Sequence, residues 1–363
     1  MLLPSDGYHA TRAMAERFLN PLGIACDTRP TPTFLDGGFD GYRLVFAETP
    51  SNPRLDICDI TAVAEAVHRQ DGLLVVDNTT MTSFGQRPLD LGADIVVSAD
   101  TKAVNGHSDV LFGHVASRDA DIIAKVTDWR SLVGGIPGPF EAWLVHRGLE
   151  TLEVRFDRMC SSAETIAMKM RTHRAVGGLR YPGLEGDASH NLARAQMDRF
   201  GFLISFELAS EQKAEAFIDN CALIESATSF GGVHTSAERR SKRGDAVPPG
   251  FVRLSIGCEP VEELWQAIEA SLDKVASWAD NDTHQNKDLS ASPESVSTRR
   301  ALGSHILCLD PSPAMQHAQD FDRIVANSIE RKVLPDNKVA NARQDVVARC
   351  ADRGWRVSKS HRR

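Results

Sequence analysis

Residues 98–109 read SADTKAVNGHSD, and Lys102 is the one residue among them able to act as a strong nucleophile. It follows the apolar run DIVV (94–97), so it is expected just past the end of a buried strand. Burial disfavours an ammonium, and a lysine with a lowered pKa can capture an aldehyde as a Schiff base. Three further residues have types that would serve such chemistry. Asp77 ends the apolar run GLLVVD (72–77), Thr101 is beside the lysine, and Tyr8 lies in SDGYHATR near the start.

The aldehyde cofactor that exploits a lysine of this kind is pyridoxal phosphate. It needs a carboxylate to keep its pyridine nitrogen protonated, so that the ring can accept electron density. It also needs hydroxyls and backbone amides for its phosphate, and an aromatic face for the ring. Asp77, Thr101 and Tyr8 are of the right types. Spacing alone leaves a plainer alternative open, because a strand-end Asp and a Lys more often form a simple ion pair.

These residues require a scaffold, and the pattern of the first half supplies one. The stretch ITAVAEAVHRQ (60–70) places Ile60, Val63, Ala64 and Val67 on one helical face. The runs at 72–77 and 92–100 read as buried strands, since they are continuous rather than alternating. Strand, helix and strand in this order predict an α/β fold with a parallel sheet, whose chemistry gathers beyond the carboxyl ends of the strands. Residues 141–172 read as helical, 201–208 and 251–257 as strands of a smaller unit, and 261–275 as a closing helix with Val261, Leu264, Ile268 and Leu272 on one face. The expected organisation is a large α/β domain over 1–155, a small α+β domain over 156–278, and a polar linker with a basic tail over 279–363. Within that last part, 313–332 has the pattern of an amphipathic helix, and 331–363 carries ten Lys or Arg against three Asp. A basic tail is able to bind nucleic acid, but the ordinary reading is a solvated tail.

At 363 residues, with 42% hydrophobic and 25% charged residues, the chain has the composition of a globular protein. A net charge of -8 argues against a nucleic-acid binder as a whole. No apolar run is long enough for a membrane span, and the first residues lack the pattern of a signal peptide. The seven cysteines are odd in number and scattered, which predicts reduced thiols and a cytoplasmic location. His107 and Asp109 are read as bonding the turn after the lysine rather than holding a metal, because no further ligands are spaced to join them. No metal is expected. His114 and His146 read as ordinary scattered histidines, and His234 as a residue near the substrate side that could tune specificity. Gly231 and Gly232 are expected to serve a backbone turn.

Four segments, ETPSNP (48–53), VVDNTTMTSFGQRPLDLGADIVV (75–97), TKAVNGHSDVLFGHV (101–115) and VRLSIGCEPVEELWQAIEASL (252–272), occur in this order. Together they resemble the Cys/Met-metabolism family of pyridoxal-phosphate enzymes over roughly residues 1–275. The resemblance implies fold type I, with a mostly parallel sheet in the large domain and a smaller α+β C-terminal domain. It implies a carbon–sulfur lyase of transsulfuration, most simply of the cystathionine γ-lyase type, with cystathionine γ-synthase or β-lyase activity as alternatives. A catalytically impaired member is a further alternative. Position by position, it implies Lys102 as the Schiff-base lysine and the base at the substrate Cα, and Asp77 as the partner of the pyridine nitrogen. Tyr8 becomes the stacking residue and an acid/base near the leaving sulfur, and Thr101 a phosphate ligand. Asn52 lies near the cofactor's phenolic oxygen and the substrate, Arg253 grips the substrate α-carboxylate, and Ser229 assists there. The implied partners are a small sulfur amino acid and further copies of the chain in a homotetramer.

Two departures from the family pattern are visible. The serine expected three residues before the lysine is Ala99, and the serine one step earlier, Ser98, should point to the opposite face of a strand. One charge-assisted phosphate hydrogen bond, worth about 1.5–3 kcal/mol, is then missing. The family pattern also carries a further region with a phosphate cradle ahead of the residue aligned with Met1, so an N-terminally truncated member is expected.

Overall fold

The computed structural model describes residues 1–278. The linker, the helix expected over 313–332 and the basic tail lie outside the described residues. The first half forms a six-stranded sheet in the order β2-β1-β3-β4-β5-β6. Its strands are β1 (Leu2–Pro4), β2 (Asp27–Arg29), β3 (Leu44–Glu48), β4 (Leu73–Asp77), β5 (Ile95–Ser98) and β6 (His114–Ser117). The first five strands are parallel to their neighbours, and β6 returns antiparallel along β5. Short helices α1 (His9–Met14) and α3 (Thr82–Gly85) and the longer α2 (Ile60–His68) connect them.

Helix α2 shows how the sequence dictates the packing. The Asp59 carboxylate accepts the Ala62 N–H at 2.9 Å and caps the first turn. Ile60, Val63, Ala64 and Val67 are all buried, against Val45, Leu74 and Val76 of the sheet. Strand β4 is buried through its centre, as its unbroken apolar run predicts. Strand β5 is shorter than the run 92–100 suggests. Gly92 turns the chain in the left-handed region (φ +97°), and the Asp94 carboxylate caps Leu74 N–H at 2.7 Å, so pairing begins only at Ile95.

Residues 139–170 form two helices rather than one, α5 (Pro139–Leu149) and α6 (Leu152–Met170), after α4 (Ala120–Val133). At the break, the Gly148 carbonyl is taken by the Arg155 guanidinium at 2.8 Å. Beyond α6 a five-stranded sheet runs in the order β7-β8-β11-β10-β9. It comprises β7 (Gly177–Arg180), β8 (Leu203–Glu207), β9 (Glu225–Ser226), β10 (Ser236–Arg239) and β11 (Phe251–Ser255). Its pairings are antiparallel except for β9 with β10. Helices α7 (His190–Gln196), α8 (Glu211–Asn220) and α9 (Val261–Ala276) complete the described chain. One face of this sheet packs on α6, α8 and α9 through Ile204, Phe206, Val252, Leu254, Ile166, Phe217, Leu264 and Ile268. Val261 is only partly buried, and Trp265 and Val275 join the apolar face of α9.

Because side chains alternate along a strand, Arg253 and Ser255 of β11 point away from that core. They meet the segments at 49–55 and 228–231, where β3 of the first sheet has just ended. Among the described residues, no helix is long and apolar enough to cross a membrane.

Candidate active site

Strand register brings the first functional residues together. Glu48 pairs with Asp77 across β3 and β4, and Asp77 with Val97 across β4 and β5, so three strand ends align. The Asp77 carboxylate is held by Thr79, whose N–H and hydroxyl donate to Oδ1 at 2.9 and 2.5 Å. The same hydroxyl accepts the Ala99 N–H at 2.9 Å, which ties the carboxylate to the turn that carries Lys102. Burial raises the Asp77 pKa, and the two Thr79 bonds work against that rise.

Lys102 lies in this turn and is half-buried. Its Nζ donates to Ser229 Oγ at 2.9 Å and lies 4.9 Å from the centre of the Phe230 ring. The simple ion pair between Asp77 and Lys102 is therefore not what forms, and no carboxylate lies among the charges acting on this lysine. Burial lowers its pKa, and the positive charges of Arg253 and Arg240 push the same way. Both effects favour the neutral, nucleophilic amine over the ammonium.

The turn is clamped from two sides. Arg155 of α6 donates to the carbonyls of Ala103 (2.8 Å) and Val104 (3.0 Å). Gly106 (φ +76°) crosses this guanidinium so closely that an added Cβ would lie 2.0 Å from Nη1. On the other side, the Asp100 carboxylate is 1% exposed and meets His114 Nδ1 of β6 at 2.8 and 2.9 Å. Burial opposes a charge on His114, but the charge and hydrogen bond of Asp100 outweigh it and raise its pKa. Sequence reasoning took His114 as an ordinary histidine, and the structure corrects this. His107 and Asp109 do bond the turn, to the Asn105 carbonyl (2.6 Å) and the Asn105 amide (2.7 Å). Gly231 packs against this turn with φ +80°, where a Cβ would lie 2.6 Å from Ala103 N. His234 is exposed.

Arg253 is 2% exposed and reaches no carboxylate. Nη1 donates to Asn52 Oδ1 and Nη2 to the Thr228 carbonyl, both at 2.7 Å, and the guanidinium lies 4.9 Å from the Phe230 ring centre. Nε is buried without a partner. Burial, and then the nearby Arg240 charge, bring its pKa down to about 9. Arg240 itself is covered by Glu238 and Asp245. A buried fork with an orphan N–H and no counter-ion is suited to an incoming carboxylate.

The remaining residues are less uniform. Tyr8 caps α1 with its side chain 50% exposed, and its backbone N–H donates to Glu48 Oε2 at 2.5 Å. Thr101 differs from expectation, because its hydroxyl donates to the Phe112 carbonyl (3.2 Å) and accepts the Phe112 N–H (2.9 Å). Its proton is already used, which leaves it no hydrogen to give a phosphate in this arrangement. Ser98 Oγ is buried with no partner. The structure thus gathers Lys102, Ser229, Asn52 and Arg253 into one cluster around Phe230, with Asp77 at the adjoining strand ends. Phe230, Thr79, Arg155 and the Asp100–His114 pair were missed by sequence reasoning. Phe230 alone carried a local signal, since it adjoins Ser229. Among the described residues, no three His, Cys, Asp or Glu side chains come together as a metal site.

The donor set fits pyridoxal phosphate with an amino acid at the amine, ring-nitrogen and carboxylate positions. It is weaker at the phosphate, where Ala99 offers no hydroxyl. Comparison with known proteins agrees. Residues 1–273 match the model of a family described as Cys/Met metabolism PLP-dependent enzyme. A Streptomyces coelicolor protein named "Putative cystathionine gamma-lyase" is 49% identical over 281 residues, spanning 76% of this chain and 70% of that protein. A cystathionine beta-lyase from Lactococcus lactis is 33% identical over 288 residues, covering 76% of each chain. The crystal structure of cystathionine gamma synthase from Xanthomonas oryzae in complex with cystathionine superposes with a TM-score of 0.73. That structure is 34% identical and is matched over 76% of this chain and 75% of its own.

Proposed function

Because the chain belongs to the Cys/Met metabolism family of PLP-dependent enzymes, we propose that it is a carbon–sulfur lyase of the cystathionine γ-lyase type, acting on a small sulfur amino acid. The observation that carries this reading is the buried, counter-ion-free Arg253 fork sharing the Phe230 ring with Lys102. It marks a place for an amino-acid carboxylate beside a nucleophilic amine. When bound, pyridoxal phosphate supplies an aldehyde for covalent capture of amines and a ring that accepts electron density from the substrate carbon.

The chain's own residues divide the remaining work. Lys102 Nζ, held by Ser229 and with its pKa lowered by burial, takes the proton from the substrate Cα. Asp77, fixed by Thr79, would hold the protonated ring nitrogen. Arg253 and Asn52 orient the carboxylate, and Ser229 closes that end. Tyr8 would cover the ring and exchange a proton with the leaving sulfur. The half-exposed side chain of Tyr8 and its place at the start of α1 support this role. A γ-elimination also requires a proton to leave Cβ, and Lys102 is the base assigned to it. Elimination at the β-carbon would use the same residues, and replacement at the γ-carbon would add an incoming nucleophile.

Two further expectations fit this picture. Trp129, Leu132, Val133, Phe140 and Trp143 of α4 and α5 are exposed large apolar side chains, which supports a homo-oligomer, in keeping with a tetramer. Free Cys58, Cys160 and Cys221 support a reducing, cytoplasmic setting. One observation favours the second reading, a catalytically impaired member. Ala99 lacks a hydroxyl and the Thr101 proton is committed to Phe112, so phosphate affinity is reduced.

The test is direct. The purified protein mixed with pyridoxal phosphate should develop a visible absorption band, and borohydride should then fix the cofactor on the Lys102 peptide. Cystathionine added to the loaded protein should, with uptake of water, release cysteine, ammonia and a 2-oxo acid. Absence of the band and of the labelled peptide overturns the enzyme reading for this chain. A band without turnover supports the impaired reading.

A further inference from the structure

Glu48 lies at the end of β3 and is 5% exposed, although nothing in the chemistry described above uses it. Its Oε2 accepts the Tyr8 N–H at 2.5 Å, and the approach is tight enough that a Cβ on Gly7 would fall 2.8 Å from that oxygen. Across the strand pair its register partner is Asp77. A buried and a half-buried carboxyl group therefore lie at neighbouring strand ends, in a place where two negative charges would repel.

The surrounding charges show which of the two gives way. Asp77 faces Glu48 from β4, Asp6 and Arg12 from the segment around α1, and Arg253 from β11. Neither arginine touches it. Arg12 donates to the Gly7 carbonyl (2.5 Å) and the Pro4 carbonyl (3.5 Å), while Arg253 is engaged with Asn52 and Thr228. Asp6 is occupied with the N–H and hydroxyl of Thr31, both at 2.8 Å. Asp77 receives two hydrogen bonds from Thr79, and these favour its anion. Glu48 receives one, from a backbone amide.

We propose that Glu48 is a positioning residue of this site: it carries a proton at neutral pH, anchors the Tyr8 backbone, and leaves Asp77 as the single anion of the pair. Burial, and next the charge of Asp77, push the Glu48 pKa well above the usual carboxylate range, in line with that assignment. The inference rests on the reading that Asp77 meets the ring nitrogen and that Tyr8 covers the ring. A second anion beside Asp77 would repel it across the paired strand ends. A neutral carboxyl removes that repulsion while still accepting the Tyr8 N–H through its C=O. In this way one side chain sets both the charge on Asp77 and the placement of Tyr8.

The experiment uses cofactor-free full-length protein first. Difference infrared spectra should contain a carboxylic-acid C=O stretch at neutral pH that is lost in E48Q and retained in D77N. Thermal stability gives a second measurement. A carboxyl whose pKa is higher folded than unfolded (about 4.3 for free Glu) weakens the fold as pH rises from the unfolded value to the folded one. The melting temperature of E48Q relative to wild type should therefore climb across that window. A band that survives in E48Q and disappears in D77N gives the proton to Asp77 and overturns the proposal. So does an E48Q stability difference that is the same at every pH.

With pyridoxal phosphate added, E48L keeps the volume but removes the acceptor. It should lose induced visible circular dichroism that E48Q retains. Equal signals from the two variants overturn the Tyr8 part of the proposal. If wild type binds no cofactor, the functional reading fails on that observation alone. The infrared and stability measurements still decide the state of Glu48.

Discussion

Lys102 owes its reactivity to what surrounds it. Burial and two positive neighbours lower its pKa, and Ser229 supplies a neutral partner instead of a carboxylate. Reaction of the cofactor-free protein with pyridoxal phosphate, trapped by borohydride, should therefore have its pH midpoint below the value near 10.4 of a free lysine. Mass spectrometry of the trapped peptides at each pH reads this midpoint, and the Lys102 peptide should be labelled before those of exposed lysines. Arg253 gives the complementary prediction. R253M removes the fork, and losing a buried, hydrogen-bonded partner of a carboxylate costs about 2 kcal/mol or more. That corresponds to roughly a 30-fold loss in kcat/KM, carried mainly by KM, in steady-state assays. R253K should recover only part of it, because an ammonium cannot reproduce the planar pair of bonds to Asn52 and Thr228.

At the scale of elements, the turn 99–106 is held by partners contributed from elsewhere in the chain. Removing the Arg155 guanidinium in R155M takes the side-chain donor from the carbonyls of Ala103 and Val104, and one of several donors from that of Gly148. A cost of about 2–4 kcal/mol is expected, measurable as a lower urea midpoint with an unchanged slope. G106A should also destabilise, since it combines a left-handed backbone with a Cβ inside the guanidinium. The Asp100–His114 pair makes a pH-dependent prediction. A histidine whose pKa is raised on folding stabilises fully below its unfolded pKa, about 6.5, and this contribution disappears as pH rises through the folded value. The stability gap between wild type and H114Q should thus be widest in mildly acidic solution and narrow toward alkaline pH. Chemical denaturation at a series of pH values measures it.

These contacts also explain what could be read in the sequence. Helix α2 and strand β4 were legible because their signals are local: a 3.6-residue period of Ile60, Val63, Ala64 and Val67, and a continuous apolar run. The cluster of Lys102, Asn52, Ser229 and Arg253 was reached through motif resemblance, and its geometry follows from strand alternation and register. Arg155 was invisible because its carbonyl partners at 103 and 104 are about fifty positions away and carry no side-chain signature. Glu48 was passed over for a similar reason, since its partner is a backbone amide 40 residues earlier. The Thr101 bonds to Phe112 were not legible, because residue type shows that a hydroxyl exists but not where its proton goes.

At the scale of the whole molecule, the described chain is two sheets, one mainly parallel and one mainly antiparallel, with separate apolar cores. Large apolar side chains on α4 and α5 remain exposed, and Phe140 stacks on Trp143 at 6.0 Å. Association through this surface predicts that the double variant L132K/W143E shifts light-scattering mass toward the monomer while the far-ultraviolet spectrum of the fold is retained. Exposed positions such as these contribute little to the stability of a single chain, so dissociation and unfolding should separate.

The hydrogen bond from Arg253 to Asn52 joins residues 201 positions apart and links β11 of one sheet to the segment that follows β3 of the other. A substrate carboxylate gripped there would act as a rivet through both halves of the chain. Catalytic competence then becomes a gauge of whether the halves are still in register. On gentle heating or in dilute denaturant, turnover should fade before either sheet melts, and saturating substrate analogue should postpone that loss. The first casualty of wear in this protein would be the alignment of the two sheets, not the integrity of either one.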